Sequence, residues 1–109
     1  MMNKGIIRKR YGGYYMATRD EHFFYVLECR DGSYYAGYTN DLKRRVAVHN
    51  DGKGAKYTRA KRPVHCIYVE TYETKRQAMQ AEYQFKQLTR KQKEAHIKKG
   101  SETIEITKK

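Results

Sequence analysis

His22-Phe23-Phe24-Tyr25-Val26-Leu27-Glu28-Cys29 is followed by Arg30-Asp31-Gly32-Ser33 and then by Tyr34-Tyr35-Ala36-Gly37-Tyr38. The first segment is rich in aromatic and β-branched residues and reads as a strand. Asp-Gly is a hairpin signal, because glycine accepts the positive φ that tight turns require. The third segment is the returning strand. Downstream, Asn40 or Asp41 can cap a helix that carries Leu42 and Val46 on its apolar face and stops near His49-Asn50-Asp51-Gly52. Residues 51–63 read as a basic loop ending at Pro63, and residues 64–71 as a third strand. Thr74 opens another helix, with Gln77 completing a capping box and Ala78, Ala81, Phe85 and Leu88 on one face. A last short helix starts at Thr89 and fades at Lys98-Lys99-Gly100. The tail 101–109 is polar, with an alternation at Ile104 and Ile106 that reads as strand-like or disordered. The order β-β-α-β-α-α predicts an α+β fold, a small three-stranded antiparallel sheet flanked by helices.

Upstream, residues 1–20 show no period and contain Gly5, Gly12 and Gly13, as expected of a mobile basic arm. Gly12-Gly13 can be encoded by GGA-GGT, a ribosome-binding sequence, with Tyr14-Tyr15 as spacer. A second reading of this segment, beside the arm, is that translation starts at Met16. The folded domain is assigned to residues 21–99 and the tail to 100–109.

A chain of 109 residues and 13.0 kDa holds one small core. Mean hydropathy is −1.04, yet 11 Tyr and 3 Phe supply large surfaces to bury. No apolar run approaches the roughly 18–20 residues of a membrane span, and no signal-peptide pattern is present. Net charge is +12, with pI about 9.8. Loss of residues 1–15 would remove Lys4, Arg8, Lys9 and Arg10 and lower it by those four, to +8. Such a field attracts polyanions, nucleic acid first, although a merely solvated basic surface has the same composition. Cys29 and Cys66 sit far apart in apolar runs and read as buried thiols in a reducing cytosol. His22, His49, His65 and His96 form no zinc-type spacing.

Several side chains have the chemistry of a site. Glu82 falls on the apolar stripe of its helix, where a carboxylate needs a partner: an ion pair with an Arg, or a role as metal ligand or catalytic group. Arg45 and His49 are four apart and share a helical face. Tyr25 and Tyr35 lie on paired strands and can stand on one side of the sheet, an arrangement that also serves packing. Gly37 inside a strand signals a close backbone approach. Each feature alone has an ordinary structural explanation.

Taken together, Phe23-Phe24-Tyr25, Tyr35-Ala36-Gly37, Asn40-Asp41-Leu42-Lys43-Arg44-Arg45-Val46, His49-Asn50 and Glu82 resemble the GIY-YIG nuclease family over residues 22–92, and most closely its small stand-alone bacterial branch. Tyr25 matches the tyrosine that ends the first motif, and Tyr35 and Gly37 match positions of the second. Arg45 matches the helix arginine, His49 the Tyr/His one turn later, and Glu82 the carboxylate that holds a divalent metal. The first triplet lacks the glycine, Ala36 replaces Ile, and Tyr38 stands where several members carry Lys. No match is found for the Asn that some members place after the glutamate.

The resemblance implies hydrolysis of phosphodiester bonds with Mg²⁺ or Mn²⁺ on Glu82. Arg45 would stabilise transition-state charge. Tyr25 would orient or deprotonate water, with help from Tyr35 and His49. A tyrosine base near pKa 7.5 needs roughly 3.4 kcal/mol of preferential phenolate stabilisation; Arg45 and the cation can supply that only in a shielded site, so either bound nucleic acid encloses the site or Tyr25 only positions water. Lys53, Lys56, Arg59, Lys61 and Arg62 before the third strand, and Lys86, Arg90, Lys91 and Lys93 after Glu82, would grip phosphates. Tyr57 would stack on an unpaired base. The expectation is an endonuclease for branched or damaged DNA, cytoplasmic and nucleoid-associated, monomeric or weakly dimeric, nicking one strand and meeting no membrane. The alternatives are a binding module for DNA or RNA with little turnover, and a basic ribosome-associated protein with no site.

Overall fold

The hairpin forms where the sequence places it. A computed structural model describes residues 21–108, with side chains described to Gly100; the N-terminal arm and the Met16 start lie outside the described residues. Strand β1 (His22–Glu28) pairs antiparallel with β2 (Tyr34–Thr39), from Phe23 opposite Thr39 to Glu28 opposite Tyr34. At the turn, Cys29 N donates to Ser33 O at 2.8 Å and Gly32 N to Cys29 O at 2.9 Å. Gly32 has φ +86°, the left-handed conformation that closes a three-residue hairpin loop. The Asp31 carboxylate accepts from Ser33 Oγ at 2.6 Å and Ser33 N at 3.0 Å. Those bonds, the hydroxyl first, hold its pKa down to about 2.

Helix α1 (Leu42–Asn50) is capped by Asp41, the second of the two candidates, whose side chain accepts from Arg44 N at 3.3 Å. The segment expected to be all loop contains one helical turn, α2 (Lys56–Arg59), so the order is β-β-α-α-β-α-α. Its N-cap is Ala55, with no side-chain cap, and four residues show no apolar period. Buried Thr58 anchors it. Strand β3 (His65–Tyr72) pairs with the other edge of β1, giving the order β2-β1-β3. Val64 precedes the strand and is held by Asn50, which donates to Val64 O at 3.0 Å and accepts from Val64 N at 2.8 Å.

Helix α3 (Lys75–Lys86) starts with the expected Thr74/Gln77 capping box. Thr89 and Gln92 make the same reciprocal bonds at the head of α4 (Arg90–Lys108). The tail is therefore helical to residue 108, and neither strand-like nor faded at Gly100. Gly100 is present for packing: a Cβ there would stand 2.6 Å from Tyr68 Cε1. Helix α4 is further pinned to β3 at Glu70, which accepts from Tyr68 Oη at 2.5 Å, from Tyr72 Oη, and from His96 Nε2 at 2.9 Å. Burial pushes the Glu70 carboxyl up, but the bonds from His96, Tyr68 and Tyr72 outweigh it and leave the pKa below the usual range.

Central strand β1 is buried on both faces, which explains its continuous apolar run. On one face Phe23, Tyr25, Leu27 and Val69 pack with Leu42 and Val46 of α1. On the other, Phe24, Val26, Ala36 and Tyr68 pack with Ala81, Phe85, Leu88 and Ile97 of α3, α4 and their junction. Cys29 is buried, whereas Cys66 is only half-buried. No helix of the described residues is long and apolar enough to cross a membrane.

Candidate active site

Tyr25 sits opposite Gly37 in the β1–β2 ladder. A Cβ on Gly37 would fall 2.5 Å from Tyr25 Cζ and closer still to the hydroxyl, so the phenol lies directly across the Gly37 backbone. The close approach expected at Gly37 is therefore made by the tyrosine itself. Beyond the glycine, Tyr25 Oη meets His49 Nε2 at 3.1 Å. His49 is fully buried, and its Nδ1 stands 2.9 Å from Thr58 Oγ1. The Thr58 hydroxyl donates its one proton to Ala55 O at 3.0 Å, so it accepts from His49 Nδ1–H. That assigns the tautomer: Nδ1 is protonated, and the Nε2 lone pair accepts the Tyr25 proton.

Tyr35, diagonal to Tyr25 across the ladder, places its ring edge-on to His49 at 5.1 Å and near-parallel to Tyr57 at 6.0 Å. Arg45, half-buried one turn before His49 on α1, is near enough for its guanidinium to lower the Tyr25 pKa. From the other side of the sheet, Glu82 of α3 is near enough to act on the same hydroxyl by charge. Tyr25 and Tyr35 thus meet at His49, and the charges of Arg45 and Glu82 act on the Tyr25 hydroxyl. Thr58 and Gly54 went unread in the sequence, although both touch His49; a Cβ on Gly54 would stand 2.9 Å from its Cε1. Their only sequence signal is a small residue and a hydroxyl inside an otherwise cationic loop.

The model of the GIY-YIG catalytic domain matches residues 21–99. The chain belongs to the GIY-YIG family. Its similarity to UPF0213 proteins places it in a branch of small bacterial proteins. It is 65% identical to the UPF0213 protein YazA of Bacillus subtilis over 78 residues, which is 72% of this chain and 79% of the relative. With a UPF0213 protein of Bacillus cereus the identity is 63% over 90 residues, 83% of this chain and 94% of the other. The solution NMR structure of protein EF2693 from E. faecalis is 51% identical, with TM-score 0.55 over 77% of this chain and 90% of that one.

In this GIY-YIG domain burial dominates the tyrosine. Desolvation pushes the Tyr25 pKa up to about 12; Arg45 lowers it but is outweighed, and the charges of Tyr35 and Glu82 add to the rise. With the phenol only 1% exposed, Arg45 alone does not bring Tyr25 toward the range of a base. His49 is held below its ordinary 6.5, by burial first and by Arg45 second. A depressed histidine pKa contributes stability that is fully present above the unfolded value. As pH falls below about 6.5 the unfolded chain takes up a proton that the folded one resists, and stability drops. Urea unfolding near pH 7.5 and near pH 5.5 should show this drop in the native chain and a smaller one in His49→Asn. Equal drops would remove His49 as the cause.

Glu82 offers one hard oxygen donor set, its side chain 19% exposed, and Lys86 Nζ already sits 2.7 Å from Oε2. The carboxylate thus accommodates a cation, and a single carboxylate suits Mg²⁺, which keeps most of its waters. The partner expected from the sequence was an Arg; the observed one is a lysine one turn along the same helix. Among the other basic groups, Lys61 lies 3.9 Å over the Tyr57 ring and 3.4 Å from Asp31. Arg62 lies over Gly52 and donates to Arg59 O at 2.8 Å. Arg90 donates to Gly32 O at 3.0 Å, pairs with Glu94 and covers Tyr34 at 3.8 Å. Lys53, Lys56, Arg59 and Lys91 are exposed. The Tyr38 hydroxyl is engaged with His22 Nδ1 at 2.9 Å.

Proposed function

We propose that this domain is a divalent-metal-dependent endonuclease that cuts one strand of branched or damaged DNA. The convergence of Arg45, His49 and Glu82 on the Tyr25 hydroxyl carries the reading. Glu82 would hold one Mg²⁺ or Mn²⁺, which when bound polarises a phosphoryl oxygen and eases departure of the leaving oxygen. Water hydrogen-bonded to Tyr25 Oη passes its proton to Tyr25 while the Tyr25 proton passes to His49 Nε2. The phenolate then never has to accumulate, and the imidazole is the proton's destination. Arg45 faces the charge that builds on the phosphoryl oxygens, where its planar fork suits two of them. Tyr35 braces His49. Lys53, Lys56, Arg59 and Lys91 meet backbone phosphates without reading sequence.

A second reading, a nucleic-acid-binding module without turnover, is favoured by the Glu82–Lys86 pair, which satisfies the carboxylate without a metal. Fluorescent branched, flapped and single-stranded DNAs with Mg²⁺, Mn²⁺ or EDTA separate the two. The nuclease nicks with metal and stops with chelator, whereas binding with no cutting under either metal leaves the module. If about five phosphates are neutralised, log affinity should fall against log salt with a slope near −4. A flat salt response would remove the polyanion argument from both readings.

A further inference from the structure

Strand β2 is an edge of the sheet, and a cleft of about 290 Å³ straddles it. On one side of the strand stand Tyr35 and Tyr57; on the other stand Tyr34 and Phe85 with Lys86 and Lys93. Tyr57 is 43% exposed, so part of its ring is open to a ligand. Its ring lies near-parallel to Tyr35, and Tyr35 lies against His49, so a continuous series of rings runs from the Tyr25 hydroxyl to the cleft. Lys86 links the opposite wall to Glu82 at 2.7 Å. Both walls therefore begin at groups of the active site.

The chemistry of the walls names an occupant. Flat rings beside ammonium groups, with no carboxylate in the lining, match a planar base on an anionic backbone. The rings are held in place: Lys61 braces Tyr57 and Arg90 braces Tyr34, each cation tied in turn to an acid, Asp31 and Glu94. A base inside an intact duplex is stacked and paired, and it cannot enter a cleft of this kind without leaving the helix.

We propose that this cleft receives the base of an unpaired nucleotide next to the phosphate being cut, so that the preferred substrate is DNA carrying a single-stranded segment at the cleavage position. The assignment rests on the nuclease reading for its phosphate but not for its binding. Binding can be measured without metal and without cutting.

The test uses the full chain in EDTA with a 2-aminopurine-labelled single-stranded oligonucleotide, and with the same strand in a perfect duplex. The single strand should bind roughly tenfold more tightly and lose fluorescence as the base stacks. Tyr57→Ala should weaken single-strand binding roughly tenfold and abolish the quench, while Tyr57→Phe, which keeps the ring, retains both. Duplex binding should be the same in all three. Thermal unfolding of Tyr57→Ala, a change at an exposed ring, establishes that the fold is kept. Equal affinity for single strand and duplex, or a Tyr57→Ala chain that binds and quenches like the native one, would overturn the proposal. A chain that meets these binding results yet cuts no DNA with any metal keeps the cleft and loses the nuclease. One that cuts DNA while indifferent to Tyr57 does the reverse.

Discussion

An Arg45→Ala chain should cut DNA about 10²- to 10³-fold more slowly than the native chain, the usual cost of deleting one donor aimed at developing transition-state charge. Metal-free DNA binding should change far less, because Arg45 is half-buried on α1 and is one cation among many. A second consequence makes the result diagnostic. Arg45 lowers the pKa of His49 and of Tyr25, so its removal lets both rise. The acid limb of the pH–rate profile, set by loss of neutral His49, should move to higher pH. Arg45→Lys restores the charge but not the fork, and should recover part of the rate and most of the pH profile. Glu82→Gln supplies the companion result: cutting is lost while metal-free DNA binding is kept. If Arg45→Ala cuts within about threefold of native, the transition-state role falls.

Gly37→Ala should cost about 1–3 kcal/mol of stability and most of the activity, by overpacking against Tyr25. The new methyl would stand 2.5 Å from Cζ, with the hydroxyl nearer, and the phenol is boxed by His49 on its far side. One of them must move, and either movement breaks the Tyr25–His49 contact. Gly32→Ala is the control. That position has φ +86° and open space around it, so alanine there strains only the backbone, by about 1–2 kcal/mol, with cleavage intact. Removing the hydroxyl in Tyr25→Phe relieves part of the clash, so Gly37→Ala and Tyr25→Phe should be non-additive in urea unfolding. Native stability and activity in Gly37→Ala would mean that the phenol does not lie where it is described.

Much of this was legible from residue types. The run from His22 to Leu27 has the composition a strand buried on both faces requires, and Thr74 and Gln77 form the box they spell. Tyr25, Tyr35, Arg45, His49 and Glu82 were grouped by the resemblance of their motifs to the GIY-YIG family, each having an ordinary structural explanation on its own. What escaped was whatever depends on a neighbour from another element. Helix α2 has no cap and no period, and Thr58 matters only because the His49 ring lands beside it. Gly100 looks like a stop until the Tyr68 ring is seen against it. The depth at which Tyr25 lies escaped for the same reason: the charges near it are visible in sequence, the packing around the phenol is not.

The hairpin tip has a mechanical consequence. Arg30 N bonds to Lys61 O, in the segment that carries Tyr57, while Gly32 O accepts from Arg90, at the head of the helix that carries Lys93. The jaws on either side of β2 are thus both riveted to one loop of three residues. The gap between them is gauged like a fixed calliper, and a strand laid into it meets an opening that cannot widen on one side without pulling on the other.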